Sequence, residues 1–306
     1  MPALLIMGPT ASGKSALALA LADRIGGEIV NADSMQVYRD FRVLTARPTH
    51  EDEARAPHHL YGSVDADELY STGRWLNDAL AAVRDIRGRG RTPILVGGTG
   101  LYFKALTQGL ADIPAADPEV RERLRARAAV EGAPALHAEL ARRDPRTAER
   151  LEPNDAPRIL RALEVWETTG DSITTLRADT KPALAAGEWA GVKLMPDRSD
   201  LYAAIDARFE AMLANGVLDE VRTFAARRLD PSMPAMKAHG APALMAHLRG
   251  EMTLAAAADI GKRDTRHYAK RQFTWMANQM SDWTPISAAD IKTRIETARF
   301  ALTSVG

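Results

Sequence analysis

Residues 8–15, Gly8-Pro9-Thr10-Ala11-Ser12-Gly13-Lys14-Ser15, fit the pattern G-x-x-x-x-G-K-[ST] and follow the apolar run Leu4-Leu5-Ile6-Met7. An apolar strand, a glycine turn and a helix start in that order predict a loop whose backbone N–H groups curl around a phosphate at a helix N-terminus. Lys14 adds a point charge, and the Ser15 hydroxyl can ligate Mg²⁺ beside a bound diphosphate. The motif leaves open which bond is broken, because nucleotide kinases, GTPases and diphosphate-releasing transferases share this cradle.

The hydrophobic spacing predicts a strand over 4–7, a helix over 14–25 and a second strand over 28–32. A helix over 73–89 and a strand over 92–96 follow, and Gly97-Gly98-Thr99-Gly100 breaks that strand before another helix begins at Leu101. Strands alternating with helices predict an α/β fold, a P-loop NTPase-like core with a parallel sheet flanked by helices. From Pro114 the chain becomes rich in Ala and Arg, with helical spacing over 117–130, 133–143, 145–151 and 156–169. Residues 113–192 therefore read as an all-helical insertion that divides the core into 1–112 and 193–306. A returning strand is predicted over 192–195, then helices over 201–215, 218–228, 242–248, 255–281 and 291–302.

Composition narrows the chemistry. Cysteine is absent, which excludes disulfides, thiolate catalysis and cysteine-ligated metals. Forty Lys plus Arg balance forty Asp plus Glu, so a polyanionic partner must be met by a local basic patch. No run approaches the ~18 apolar residues of a membrane span, and the N-terminus lacks the basic start of a signal peptide. A soluble, cytoplasmic protein without membrane partners is expected.

Asp33, in Asn31-Ala32-Asp33-Ser34-Met35-Gln36-Val37-Tyr38, ends the second strand, and parallel sheets bind ligands at that edge. It fits a general base or a magnesium partner, with a turn or helix-capping aspartate as the structural alternative, which the neighbouring Ser34, Gln36 and Tyr38 weaken. His58-His59 is a poor metal site, since adjacent residues of an extended segment point opposite ways. The Gly97–Gly100 turn could bring backbone and the Thr99 hydroxyl close to a ligand, or be only a turn. Lys262, Arg263, Arg266, Lys270 and Arg271 put five cations within ten residues, interleaved with Tyr268, Gln272, Phe273 and Trp275. Such a mixture suits single-stranded or looped RNA, and a solvated helix with buried aromatics would look the same.

Taken together and in order, several segments resemble the tRNA dimethylallyltransferase (tRNA isopentenyltransferase) family. They are residues 8–15, Asp33-Ser34-Met35-Gln36-Val37-Tyr38, Thr45-Ala46-Arg47-Pro48, Pro57-His58-His59-Leu60, Gly97-Gly98-Thr99-Gly100-Leu101-Tyr102-Phe103, residues 155–165, and Tyr268-Ala269-Lys270-Arg271-Gln272-Phe273-Thr274-Trp275. Leu44 and Arg47 stand where that family usually has Gly and Lys, and Gly240-Ala241-Pro242 replaces its usual aromatic and basic stretch. The Cys/His zinc-finger extension of eukaryotic members is missing, so the likeness is to bacterial enzymes.

The resemblance implies transfer of a dimethylallyl group from dimethylallyl diphosphate to N6 of adenosine 37 in tRNA, with diphosphate released and Mg²⁺ as cofactor. By that likeness Gly8, Pro9, Thr10, Ala11, Ser12, Gly13, Lys14 and Ser15 hold the diphosphate, Ser15 ligates the metal, and Arg222 joins the clamp. Lys14, Thr99 and Arg222 assist catalysis, while Asp33 removes a proton from the amine. Asp33, Ser34, Met35, Gln36, Thr99, Arg121, Pro157, Arg158, Ile159, Leu160, Arg161, Lys237, Lys270, Arg271, Gln272 and Trp275 are the implied tRNA contacts. Diphosphate and tRNA would enter a channel between core and insertion from opposite ends of a monomer. The rivals are a prenyltransferase acting on free adenine nucleotides, a small-molecule kinase, and a nucleotide-dependent RNA-binding module.

Overall fold

The computed structural model describes residues 1–114, 116–176 and 180–305. Among them, β1 (Ala3–Met7), β2 (Gly27–Asn31), β3 (His58–His59), β4 (Thr92–Gly97), β5 (Trp189–Leu194) and β6 (Thr284–Ile286) form one parallel sheet, ordered β3-β2-β4-β1-β5-β6. Helices α1 (Lys14–Ile25), α2 (His50–Arg55), α3 (Thr72–Gly88) and α4 (Gly100–Thr107) precede a helical segment containing α5 (Pro118–Glu131), α6 (Ala133–Arg143), α7 (Pro145–Ala148), α8 (Ala156–Thr169) and α9 (Ile173–Leu176). The chain then returns through α10 (Arg198–Ala214), α11 (Val217–Ala226), α12 (Ala241–Leu248), α13 (Leu254–Gln279) and α14 (Ile291–Thr303).

Strand β1 is buried along its whole length because side chains alternate between two covered faces. Leu4 and Ile6 enter a core with Leu17 and Leu21 of α1 and with Ile295 and Ala298 of α14. Leu5 and Met7 enter the other, with Trp75 of α3, Phe103 of α4 and Phe273 of α13. Truncating one of these, as in Leu5→Ala, would cost about 2–5 kcal/mol. Since β4 lies between β1 and β2, the loops after all three strands leave from one edge of the sheet. That edge brings residues 8–15, 32–38 and 97–100 together.

Strands β3 and β6 carry no readable sequence pattern: one is two residues long, and the other is three residues around Pro285. Strand β5 starts three residues earlier than its sequence predicts. The helical unit is Gln108–Pro182 rather than 113–192. Its boundary falls at Pro182 because the N–H groups of Ala183 and Leu184 both donate to the Leu106 carbonyl at 2.9 Å, returning the chain to the sheet-bearing unit. The composition change near Pro114 and the strand signal at Val192 mark neither end. Within the helical unit, Leu124, Leu136, Leu140, Ile159 and Leu163 form the core. Among the described residues, no helix is long and apolar enough to cross a membrane.

Candidate active site

The phosphate loop is strongly curved, with Ala11 and Gly13 in left-handed conformation, at φ 64 and φ 82. Its Thr10 is held twice from one side. The Thr10 N–H donates to Oε1 of Gln272 at 2.9 Å, and Arg208 of α10 donates to the Thr10 hydroxyl. The Lys14 ammonium lies 3.3 Å from the Pro9 carbonyl. Burial pulls its pKa down to about 8, against the raising influence of Asp33, and the Arg208 charge adds to the lowering. Two cations at a curved loop ahead of a helix N-terminus are an arrangement able to hold an anion.

Asp33 is fixed by the end of β2. Asn31 accepts from the Asp33 N–H at 2.8 Å and donates to the carbonyls of Asp33 and Leu60 at 3.0 and 3.1 Å. One carboxylate oxygen of Asp33 accepts the Met35 N–H at 2.9 Å, which is the turn role open to it from sequence. The other oxygen lies beside Gly98, so the carboxylate serves the turn and still faces the site. Thr99 links the same two loops: its hydroxyl accepts the Ser34 N–H at 2.9 Å, and its own N–H donates to the Ala32 carbonyl.

Helix α13 closes the arrangement. Tyr268, Gln272 and Trp275 fall at i, i+4 and i+7 on one face, and Gln272 donates to the Gly98 carbonyl at 2.8 Å. A Cβ on Gly98 would sit 2.1 Å from that amide nitrogen, so only glycine admits the contact. A cavity opens between these elements, with Thr10, Asp33, Arg208, His239 and Tyr268 on its polar side. Leu44, Ile205, Phe209 and Met212 form an apolar wall. Burial lowers the His239 pKa, with the Arg271 charge acting in the same direction and Asp33 and Asp264 opposing it.

A family model described as IPP transferase matches residues 36–279, and one described as isopentenyl transferase matches residues 1–61, leaving 280–306 outside both. The tRNA dimethylallyltransferase of Rhodopseudomonas palustris (strain BisB18) is 59% identical over 295 residues, covering 96% of this chain and 93% of its own. The chain belongs to the tRNA dimethylallyltransferase family. A relative from Maricaulis maris is 52% identical, with 96% of each chain covered. The crystal structure of the tRNA isopentenylpyrophosphate transferase of Bacillus halodurans aligns with TM-score 0.71 at 34% identity, covering 99% of this chain and 96% of the other. A eukaryotic dimethylallyltransferase acting on tRNA aligns at 0.83 and 26%, covering 99% and 78%. The core is accordingly P-loop NTPase-like.

Several residues implied by the family likeness lie elsewhere than expected. Arg222 is 60% exposed on α11 and pairs with Asp219, so it is no part of the cavity; Arg208 occupies the place expected of it. Nothing local marks Arg208, since its position depends on how α10 packs. Gln272 is buried between two loops rather than exposed to RNA. Trp275 packs half-buried against the core, with its indole nitrogen buried and without a hydrogen-bond partner among the described residues. Gln36 donates to the carbonyls of Thr45 and Ala46, holding a loop, and Met35 lines the cavity. The i, i+4, i+7 spacing of Tyr268, Gln272 and Trp275 was the available signal for one buried stripe.

The basic helix divides in two. Lys262 pairs with Glu210, Arg263 with Asp264 and Arg266 with Asp206. Lys270 and Arg271 are exposed and pair with no carboxylate among the described residues, Arg271 lying over the Tyr268 ring. Lys237 is likewise exposed and unpaired. In the helical unit, Ile159 is fully buried, which removes it as a surface contact, while Leu160 is half-buried against the same core. Arg121 and Arg161 are tied to Glu164, while Pro157 is exposed and Arg158 is 70% exposed beside Asp155. His58 bonds to the Ala56 carbonyl and His59 to Glu28, and no group of three ligating carboxylates or imidazoles occurs among the described residues.

Proposed function

We propose that this chain transfers a dimethylallyl group from dimethylallyl diphosphate to N6 of adenosine 37 of tRNA, releasing diphosphate. The observation that carries this function is a single cavity with three chemically different walls. Thr10 and Arg208 sit at the phosphate loop, Asp33 supplies a carboxylate, and Leu44, Ile205, Phe209 and Met212 supply an apolar surface for a five-carbon group. The C–O bond at the allylic carbon breaks as the C–N bond forms. Loop N–H groups, Lys14 and Arg208 stabilise charge gathering on the departing diphosphate. The adenine amine is a weak nucleophile, and Asp33 takes its proton.

The residues fit a divalent ion. Ser15 is exposed at the first turn of α1 and its hydroxyl has no hydrogen-bond partner among the described residues, so it could supply one oxygen ligand, with diphosphate oxygens and water as the natural others. When bound, Mg²⁺ supplies charge neutralisation at the leaving group. Of the cations that the family likeness implies as tRNA contacts, Lys237, Lys270 and Arg271 are exposed without a carboxylate partner among the described residues, and in the helical unit Arg158 is largely exposed, so these are the ones offered to tRNA phosphates. The enzyme works as a cytoplasmic monomer.

The decisive experiment incubates purified protein with labelled dimethylallyl diphosphate and tRNA with or without adenosine 37. Label is expected in RNA only when that base is present, with one diphosphate released per transfer. Transfer to free adenosine nucleotides alone, or cleavage of a nucleoside triphosphate at a P–O bond instead, would overturn the assignment.

A further inference from the structure

Arg294 is a half-buried cation that no catalytic or RNA-binding role above uses. It lies on α14, in the segment outside both family-model matches. Its Nε donates to the Ala288 carbonyl at 2.7 Å and its Nη1 to the Ser12 carbonyl at 2.9 Å. No carboxylate pairs with it among the described residues, so its charge is directed at backbone alone. The close approach depends on Gly13, where a Cβ would sit 2.8 Å from Nη1.

The peptide joining Ser12 to Gly13 is trans and planar, so its carbonyl and its N–H point in opposite directions. Arg294 engages the carbonyl end. The Gly13 N–H therefore points away from Arg294, to the side on which such a loop presents its N–H groups to a phosphate. A cation hydrogen-bonded to one end of a peptide polarises it and makes the other end a stronger donor. We propose that Arg294 is a positioning residue for the diphosphate, acting through the Ser12–Gly13 peptide from outside the loop. The allylic diphosphate and the inorganic diphosphate product would both gain from it. The proposal rests on the phosphate-loop function assigned above.

The test is calorimetric titration of the full chain with inorganic diphosphate and Mg²⁺, for wild type, Arg294→Lys, Arg294→Gln and Arg294→Met. Gln and Met are expected to weaken binding about 5- to 10-fold, and Lys to stay within about 2-fold, because charge rather than shape is the working property. The KM for dimethylallyl diphosphate should follow, with the KM for tRNA unchanged. Should the neutral variants fail to fold, Ile291→Glu answers the same question. Ile291 is exposed one turn before Arg294, so the new carboxylate would neutralise the guanidinium in place and weaken diphosphate binding about 2-fold or more against Ile291→Gln. Unchanged affinity in Arg294→Gln, or an equal loss in Arg294→Lys, overturns the inference while leaving the phosphate loop intact. Failure of the wild type to bind diphosphate overturns both.

Discussion

The Thr10 N–H donates to the side-chain oxygen of Gln272 at 2.9 Å, tying the phosphate loop to the middle of α13. The same amide donates to the Gly98 carbonyl, so one side chain spans two of the three loops at the sheet edge. Gln272→Leu would strip partners from both backbone groups, at about 1–3 kcal/mol each where they stay buried. A drop in melting temperature should accompany a fall in kcat, and Gln272→Glu should lose the Gly98 bond alone. Full activity in the Leu variant would show that the two loops keep their positions without this strut.

Arg208 and Arg222 make opposite predictions. Arg208→Ala should lower kcat/KM for dimethylallyl diphosphate by about 10²-fold, since a cation facing the leaving group is lost. Lys14→Ala should abolish transfer while tRNA affinity stays within a few fold. Arg222→Ala, which breaks only an exposed pair, should keep stability within about 0.5 kcal/mol and leave the kinetics unchanged. Steady-state kinetics on the three variants settle the assignment.

Asp33→Asn keeps the size of the side chain and the Met35 turn bond while removing the base. Diphosphate and tRNA should still bind, and single-turnover transfer should slow by about 10²-fold or more. Near-normal turnover would leave Asp33 as the turn residue that its 2.9 Å bond to Met35 also makes it.

Lys270 and Arg271 are the unpaired cations of α13. Replacing both by Ala should raise the KM for tRNA and flatten the log–log salt dependence of binding by up to about two units, one per phosphate contact. Lys262 and Arg266, already neutralised by Glu210 and Asp206, serve as the control pair whose removal should leave the slope alone. The outcome is read from filter binding at several salt concentrations.

Glu28 links stability to pH. Burial alone would raise its pKa, but hydrogen bonds from Arg89 and His59 outweigh this and hold it below the usual range. A carboxylate depressed in the folded state stabilises above its unfolded pKa of about 4.3, and that contribution disappears as pH falls through the folded value. Glu28→Gln should therefore cost about 1–3 kcal/mol at pH 7. The gap between the two unfolding curves should close below about pH 4. An equal gap at both pH values would show that ionisation of Glu28 contributes nothing.

The parts of the site legible in sequence are those made by short segments. Residues 8–15, Asp33 and Thr99 each follow a strand, and strand ends at one sheet edge meet whatever the helices do. Arg208 was illegible because a lone arginine on a helix gains its role only from how that helix packs. The basic helix misled for a related reason: Glu210 and Asp206, which neutralise Lys262 and Arg266, lie more than fifty residues away in sequence. Polar Gln272 looks like a surface residue until the loops that it joins are in place. Ile159 shows the converse, an apolar residue inside an RNA-like arginine run that fills a core.

Strand β1 is flanked by β4 and β5, yet β5 begins only at Trp189, after the whole helical unit. During synthesis the first, fully apolar strand thus waits with one edge open while about ninety residues beyond β4 emerge. Pairing across such a separation is slow, and an open apolar edge invites strands from other chains. The helical unit, contiguous in sequence, can fold in that interval. Yield of the active enzyme should accordingly depend on how fast the segment through β5 leaves the ribosome and on chaperones that shield the waiting edge.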